Sequence, residues 1–526
     1  MYTYTTLLCI VTVLNAVMRE QDSGGRIWDI KVHNINNVEM CVSNYGKIAQ
    51  DASGEPGCCW PTGSGYSYLY GAGIWFGVRD QVGGGLYDTL VSIGYGPHGG
   101  ESEFGPGLSG QDPYPEYVMI YMYPDPWPAP VDSFPMAPQD IVSHQDSWCC
   151  FNDSNPDFHI PGDTRPIGIE IFQTVYAWNI PPLEDVIFLT WEVHNMSGGD
   201  LQDCYIGLCA DIDIGNEAGT GADYLNGCII GQWYVVDGES IWVDNCAYEW
   251  LYDDEPGWPT YSGVICCDFL QTPPDLIPGE DKDNDGIPDQ YERDSAYYWN
   301  QVPQNLWDVD GDGVPDWRDP SQWPHLGMTA YKYYTLNLEP NNDNQRYLAL
   351  AGYNYASGQY EPYDTVPPQP DDHRVILGCG PFDIEQDSSA TVIFAIMFAE
   401  WLDIYGGPDT ALVWVNRDAE DWYEMYWYLY TAVEEYSSQS IFPSFSIMPN
   451  PVADRAYLHF NLMQPGRVSV MLYDVAGRLV KHTVEEDRSA GPQTVTINTD
   501  GLSSGTYFAV LKADTHSSTR SFVIFR

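Results

Sequence analysis

The sequence predicts a mainly β protein: a large β-sandwich ectodomain carrying one long helix, followed by a second, smaller sandwich. Three observations lead there. From Arg26 to about Leu270 the chain is a series of short apolar or alternating runs broken by Gly, Pro, Asn and Asp, which is the grammar of strands and turns. A single long run, 409–435, has helical spacing and no internal Pro or Gly. Charge is divided between the parts: residues 441–526 hold eight Lys/Arg and seven Asp/Glu, whereas the preceding 440 residues hold 13 bases and 68 acids. Two physically different modules are therefore joined in one chain, and 526 residues suffice for two to four domains.

Taken in order, Leu7 to Val17 form an apolar stretch of signal-peptide length, too short to cross a bilayer as a mature helix. No Lys or Arg precedes Leu7, so residues 1–20 are read as a signal peptide truncated at its start, with no transmembrane segment in the mature chain. Strands are expected at 72–79, 116–123, 167–178, 229–236, 261–269, 346–353 and 391–400. Ile187, Leu189, Trp191 and Val193 alternate with Phe188, Thr190, Glu192 and His194, as a strand with one core face and one wetter face requires. The helix opens at Pro408 and Asp409 and carries Leu412, Val415, Trp422, Met425, Leu429 and Val433 on a face suited to docking on a sheet. A Ser-rich linker, 437–442, ends the ectodomain of residues 21–436.

Net charge is −54, which excludes nucleic acid as a partner, since phosphate binding needs a basic face. Tryptophan and tyrosine are abundant, 19 and 39; spacing alone singles out none as a sugar platform. Twelve of 13 cysteines fall between Cys41 and Cys379 with no C-x2-C pair. A zinc ribbon is thus not expected, and in an exported chain disulfides are, with adjacent cysteines such as Cys149 and Cys150 bonding to distant partners.

The most specific chemistry lies in two acidic loops with one ligand spacing. The first runs Asp281, Asp283, Asp285, Gly286, Ile287, Asp289, Glu292; the second runs Asp308, Asp310, Asp312, Gly313, Val314, Asp316, Asp319. Carboxylates at positions 1, 3, 5, 9 and 12 and a backbone carbonyl at 7 (Ile287, Val314) suit a calcium ion, which takes six to eight oxygens, and glycine at 6 permits the turn. Asp319 is shorter than the usual Glu, so its contact is expected to be monodentate or through water. Without a cation, the eleven acids and three bases of 281–319 would repel one another. Pro288 and Pro315 fill position 8, where a paired EF-hand uses a backbone N–H, and Pro303 and Pro320 interrupt the flanks. The spacing instead resembles the calcium-wrapped repeats of thrombospondin type 3, which implies a structural ion in an insertion spanning 275–325.

Further motifs, among them Trp60-Pro-Thr-Gly-Ser-Gly, Gly71-Ala-Gly-Ile-Trp-Phe-Gly, Gly168-Ile-Glu-Ile-Phe-Gln-Thr and Trp191-Glu-Val-His-Asn, resemble a group of exported bacterial proteins without established activity. The end of the chain is more specific. Pro449-Asn-Pro, Tyr473-Asp-Val-Ala-Gly-Arg478, Gly505-Thr-Tyr-Phe and Ser521-Phe-Val-Ile-Phe resemble the type A sorting domain of the type IX secretion system. That resemblance implies an immunoglobulin-like sandwich over 443–526, and the type IX machinery as its partner.

Signatures of catalysis are sparse. Gly501-Leu-Ser-Ser-Gly505 fits the nucleophile elbow formally but precedes a strand, not a helix, and the ten histidines include no H-E-x-x-H. Asp211, Asp213, Glu217 and Asp223 form another acidic group, open to three readings: a third calcium site, an acid/base pair or an exposed turn. The sequence thus points to a secreted or cell-surface calcium-binding protein, non-enzymatic, in adhesion, matrix or contact with an extracellular glycan or surface protein. The alternative is an extracellular glycosidase-like hydrolase with paired carboxylates among its many acids.

Overall fold

The computed structural model describes residues 27–525 apart from 84–85, 97–101, 112–113, 160–164, 215–223, 252–262, 311–313, 336–337, 368–369, 402–406, 428–444, 449–450, 454, 463–465, 475–477, 489–490 and 514–515. The signal peptide, the linker, Asp312, Gly313, Glu217 and Asp223 lie outside the described residues. Two antiparallel sheets dominate. The first runs Ala330–Thr335, His373–Ile384, Leu201–Asp211, Gly71–Gly83, Lys47–Ile48, Glu39–Ser43, Cys58–Cys59, Ser67–Leu69. The second runs Tyr224–Ile229, Cys246–Leu251, Val264–Gln271, Ser389–Ala399, Val186–Asn195, Ile169–Ala177, Gln145–Asn152, Gly105–Pro106.

Period-two alternation assembles the layers. Ile74, Phe76 and Val78 from the first sheet and Ile187, Leu189, Trp191 and Val193 from the second meet in one core, the arrangement of a sandwich. The opposite faces are covered as well. Trp75 and Ile376 pack under the helix Asp343–Leu350, and Phe188 and Val186 pack under the helix Val413–Trp422 and the turn that continues it. Residues 445–525 form their own sandwich. A sheet of Phe445–Met448, Arg455–Leu462 and Gly491–Asn498 accompanies one of Leu479–Arg488, Gly466–Asp474, Gly505–Ala513 and His516–Ile524, with Val468, Val470 and Leu472 fully buried between them.

Several expectations need correction. Residues 116–123 hold a short helix, Pro115–Val118, and a two-residue strand, Tyr121–Met122, because Pro115 seeds a helical turn and Pro124 and Pro126 cut the strand short. The run 346–353 is mostly helix: Asn342 caps Asp343–Leu350 by accepting the N–H of Gln345 (3.1 Å), and its short apolar run fits either period. The strand expected at 229–236 breaks at Gly231 (φ +141°), leaving the hairpin Gln232–Val236/Glu239–Val243 beyond it. Within the long helix a π turn, Tyr423–Trp427, rotates Met425 to the surface and Tyr423 and Trp427 into the core.

The disulfide expectation also fails. All twelve cysteines from Cys41 to Cys379 are free thiols. Adjacent cysteines in a strand point to opposite faces, Cys267 into the inter-sheet core and Cys266 into the outer one. Burial pushes thiols such as that of Cys41 up to about 12, so they pack as small apolar groups.

Close backbone crossing explains Gly73 and Gly94. A Cβ on Gly94 would meet the Gly46 carbonyl oxygen at 2.1 Å, and one on Gly73 would meet the same oxygen at 2.7 Å. Gly94→Ala is expected to destabilise the ectodomain by about 3 kcal/mol or more, whereas Gly199→Ala, with open space around it, should change stability by less than about 0.5 kcal/mol. Denaturant melts of both variants check the contrast.

Candidate metal centre

The insertion leaves and re-enters the ectodomain at one point: Pro274 bridges His325, Asp275 N–H donates to the Pro324 carbonyl (2.8 Å) and Leu326 N–H to that of Pro273 (3.2 Å). His325, half-buried, lies between the carbonyls of Thr272 (2.6 Å) and Pro320 (2.7 Å). Between these ends the described residues of the two acidic loops share the hydrogen bonds made at position 9. The position-9 N–H donates to the carbonyl before position 1: Asp289 to Glu280 (3.0 Å), Asp316 to Trp307 (2.8 Å). The position-9 carboxylate accepts the position-2 N–H: Asp289 from Lys282 (2.9 Å), Asp316 from Val309 (3.1 Å). Pro288 and Pro315 take nearly the same extended conformation (φ −67° and −68°) and each opens a single 3-10 turn, Asp289–Tyr291 and Asp316–Arg318. Proline therefore starts a turn at position 8 where an EF-hand would use an N–H.

In the first loop, ligand oxygens of Asp281, Asp283 and Asp285 lie within 4.8 Å of one another; oxygens sharing one calcium at about 2.4 Å can be no more than about twice that apart. These three are exposed, while Asp289 and Glu292 are buried beneath them. Gly286 makes the turn at φ +96°. In the second loop Asp316 and Asp319 are buried, Asp308 and Asp310 are half-buried, and Asp310 lies 3.5 Å from Gln322 Nε2. Ile287 is buried and Val314 half-buried at the carbonyl positions.

Three buried carboxylate oxygens have no hydrogen-bond partner: Glu292 Oε1 and Asp319 Oδ2, both at position 12, and Asp308 Oδ1 at position 1. Leaving such atoms bare is costly, and calcium fits them by charge and hardness. Burial and then the charges of Asp285 and Asp283 push Glu292 up to about 9; burial and then Asp285 push Asp283 up to about 6; burial pushes Asp316 up to about 6.

Sequence reasoning missed the aromatic wedge between the loops. Tyr298, fully buried on the helix Ser295–Gln301, donates its hydroxyl to Glu292 Oε2 (3.3 Å) and packs on Trp317 at 5.0 Å, which meets Trp307 at 5.5 Å. Aromatics in a segment otherwise rich in acids were the available signal. A second feature lies on the hairpin 232–243, where exposed Trp233 and Trp242 touch edge to face at 5.4 Å beside a hollow of about 420 Å³ that Arg417, Glu420, Asp421 and Glu424 help line. Asp268, beneath it, shares a hydrogen bond with Glu420, and burial raises both well above the usual carboxylate range. Carboxyls in direct contact are closer than the ~5–9 Å that glycoside hydrolysis uses.

Residues 446–525 match the family model described as the secretion system C-terminal sorting domain. The protein is an exported one. Such a tail marks proteins sent to the cell surface or the extracellular space and implies recognition by the type IX machinery; among the described residues no helix is long and apolar enough to cross a membrane. No curated protein matches the chain. Solved structures similar to it include a polysaccharide lyase (6% identity, TM-score 0.21, 95% of this chain and 46% of that one) and dimeric latent PorU from Porphyromonas gingivalis (8%, 0.15, 96% and 33%). The chain spans less than half the length of either, and TM-scores this low carry no argument about fold or activity.

Carboxyls raised above their ordinary values stabilise the ion-free fold only while protonated. That contribution is whole below the unfolded carboxylate range and is lost as pH rises through about 6 for Asp283 and Asp316 and about 9 for Glu292. Chelated protein is therefore expected to hold its insertion better at pH 5 than at pH 8, and calcium to restore it most at pH 8; limited proteolysis within 275–325 at both pH values checks this.

Proposed function

We propose that this exported protein is a non-enzymatic surface or secreted protein whose ectodomain is stiffened by calcium in the two loops and contacts an extracellular glycan or surface protein. The observation that carries the calcium reading is the matched pair of position-12 carboxylates, Glu292 and Asp319, each buried with one oxygen unpartnered. Asp281, Asp283, Asp285 and Glu292 with the Ile287 carbonyl would hold one ion, and Asp308, Asp310, Asp312 and Asp319 with the Val314 carbonyl the other. Asp316 keeps one oxygen on a backbone N–H and offers the second directly or through water, whereas both oxygens of Asp289 accept backbone N–H groups, from Lys282 (2.9 Å) and Ile277 (3.4 Å), and shape the loop beneath the ion. The ion takes the place of a hydrophobic core in a segment that has little of one.

Free calcium at about 100 times the dissociation constant stabilises by about 2.7 kcal/mol per site. Chelator is expected to lower the melting temperature, and Asp283→Ala with Asp310→Ala to reproduce that loss without further response to chelator. Titration calorimetry that shows no calcium uptake would overturn the reading.

For the contact surface, support comes from Trp233 and Trp242, large apolar rings left in solvent beside an acid-lined hollow. Paired rings of this kind stack on the apolar faces of sugars. Trp233→Ala with Trp242→Ala is expected to abolish glycan-array binding while shifting stability by no more than about 1 kcal/mol; binding that survives the double variant would place the contact elsewhere. Release of reducing ends from polysaccharide by wild type, lost in Glu420→Gln, would instead favour the hydrolase.

A further inference from the structure

At the end of the first sheet, Asp211, Asp213 and Asp372 bring ligand oxygens within 4.8 Å of one another, and there Arg374 Nη2 already reaches Asp211 Oδ2 (2.7 Å). The hollow beside the hairpin Gln232–Val236/Glu239–Val243 is different. Among the described residues that line it are five acids, Glu239, Asp244, Glu420, Asp421 and Glu424, and one base, Arg417. That base is engaged: Nε donates to Asp418 Oδ1 (3.0 Å), as does Nη2, while Nη1 lies 3.5 Å from Glu239 Oε2 and Nε 3.8 Å from Asp421 Oδ2. Its guanidinium also sits 4.3 Å from the centre of the Trp414 ring. Among the described residues, Asp244, Glu420 and Glu424 have no ion-pair partner.

The hairpin sets an apolar face beside these charges. Cross-strand register places Trp233 opposite Trp242 and Val235 opposite Ser240 on its outward side, while Tyr234, Val236, Ile241 and Val243 enter the core under the helix Val413–Trp422. The Tyr234 hydroxyl donates to Asp409 Oδ2 (3.1 Å), which ties the hairpin down. Trp233 is 63% exposed, Trp242 45% and Val235 74%, so the face is open to a partner. A hollow of about 420 Å³ falls within the range of roughly 300–1,000 Å³ that small ligands occupy, and it has no room for a folded domain.

Resting on the glycan contact proposed above, we infer that this site selects a glycan with free amino groups, amino sugars without an N-acetyl, whose ammonium groups enter among Asp244, Glu420 and Glu424 while sugar faces stack on Trp233 and Trp242. An ammonium offers three donors and no acceptor, the complement of carboxylates that only accept, and it is attracted to the faces of tryptophan rings. Acidic sugars are turned away by like charge, since the single guanidinium is already paired. Among the described residues, no three of the lining carboxylates bring ligand oxygens within 4.8 Å of one another, a spacing that suits separate ammonium groups rather than one metal ion. Burial and then the charges of Asp268, Asp244 and Glu424 raise the Glu420 carboxyl well above its usual range, and burial, then Asp421 and Asp244, raise that of Glu424. Crowded carboxylates of this kind are relieved by a cation.

Titration calorimetry of the full chain in calcium, with a glucosamine hexasaccharide in its ammonium form and with its N-acetylated counterpart, tests this. The amine form is expected to bind about tenfold tighter, to weaken as salt rises, and to lose that advantage in Asp244→Asn with Glu424→Gln. Glu424→Gln alone, on an exposed side chain, should already narrow it and serves if the double variant does not fold. Equal affinity for the two sugars, or an advantage that survives the double variant, overturns the inference and leaves the glycan contact standing. Oligolysine that binds as tightly as the amino sugar overturns it in favour of a basic protein segment. Failure of the glycan reading looks different: neither hexasaccharide binds, or both still bind Trp233→Ala with Trp242→Ala, and either result removes this inference with it.

Discussion

Negative charge placed where neither water nor a protein donor reaches it is the constraint around which this structure is organised. With 75 acids against 21 bases, the chain cannot neutralise its carboxylates internally. Where it buries one for structural reasons it supplies backbone N–H groups, as around Asp153 and around Asp146, whose carboxylate accepts from Val142 (2.6 Å) and Ser143 (2.9 Å). At Glu292, Asp308 and Asp319 one buried carboxylate oxygen is left without a donor. A buried oxygen without a donor is met by a proton or a cation, and near neutral pH outside a cell the cation is the more available of the two.

That requirement accounts for the form of the insertion. Its described residues have no sheet and little apolar content beyond the wedge of Tyr298, Trp307 and Trp317; what they have is the same turn made twice, with the same position-9 bonds. The ends are pinned to each other by the Pro274–His325 bridge and by Lys282, whose Nζ reaches Asp275 (2.5 Å) and the His325 carbonyl (2.7 Å). A segment anchored at its base and repetitive within can transmit order from an ion to the ectodomain. The sandwich supplies the rigid platform, with its inter-sheet core closed on both outer faces by helices.

Much of this was legible in the sequence where period and spacing are unambiguous. Strict alternation placed Ile187, Leu189, Trp191 and Val193 on one core face, and the loop spacing singled out Asp281, Asp283 and Asp285, whose carboxylates the fold brings together. Short apolar runs were less legible: 346–353 suits a helix or a strand until the Asn342 cap decides, and Met425 left its expected face because one π turn shifts the phase by a residue. Cysteine number misled because burial within strands, invisible in spacing, makes the thiols small apolar packing groups, even where those of Cys246 and Cys266 touch. Asp372 was beyond reach, since only the sheet topology brings it, from a distant part of the chain, to Asp211.

Export by the tail and calcium in the loops would fit together, because folding would then be completed only where calcium is plentiful. Hydrogen exchange at the amides of Asp289 and Asp316, which donate to the Glu280 and Trp307 carbonyls, reads this most directly. Protection at both amides in millimolar calcium that collapses on chelation, while the strands Val186–Asn195 and Ser389–Ala399 stay protected, is the expected result. Equal protection of Asp289 and Asp316 with and without calcium would contradict it.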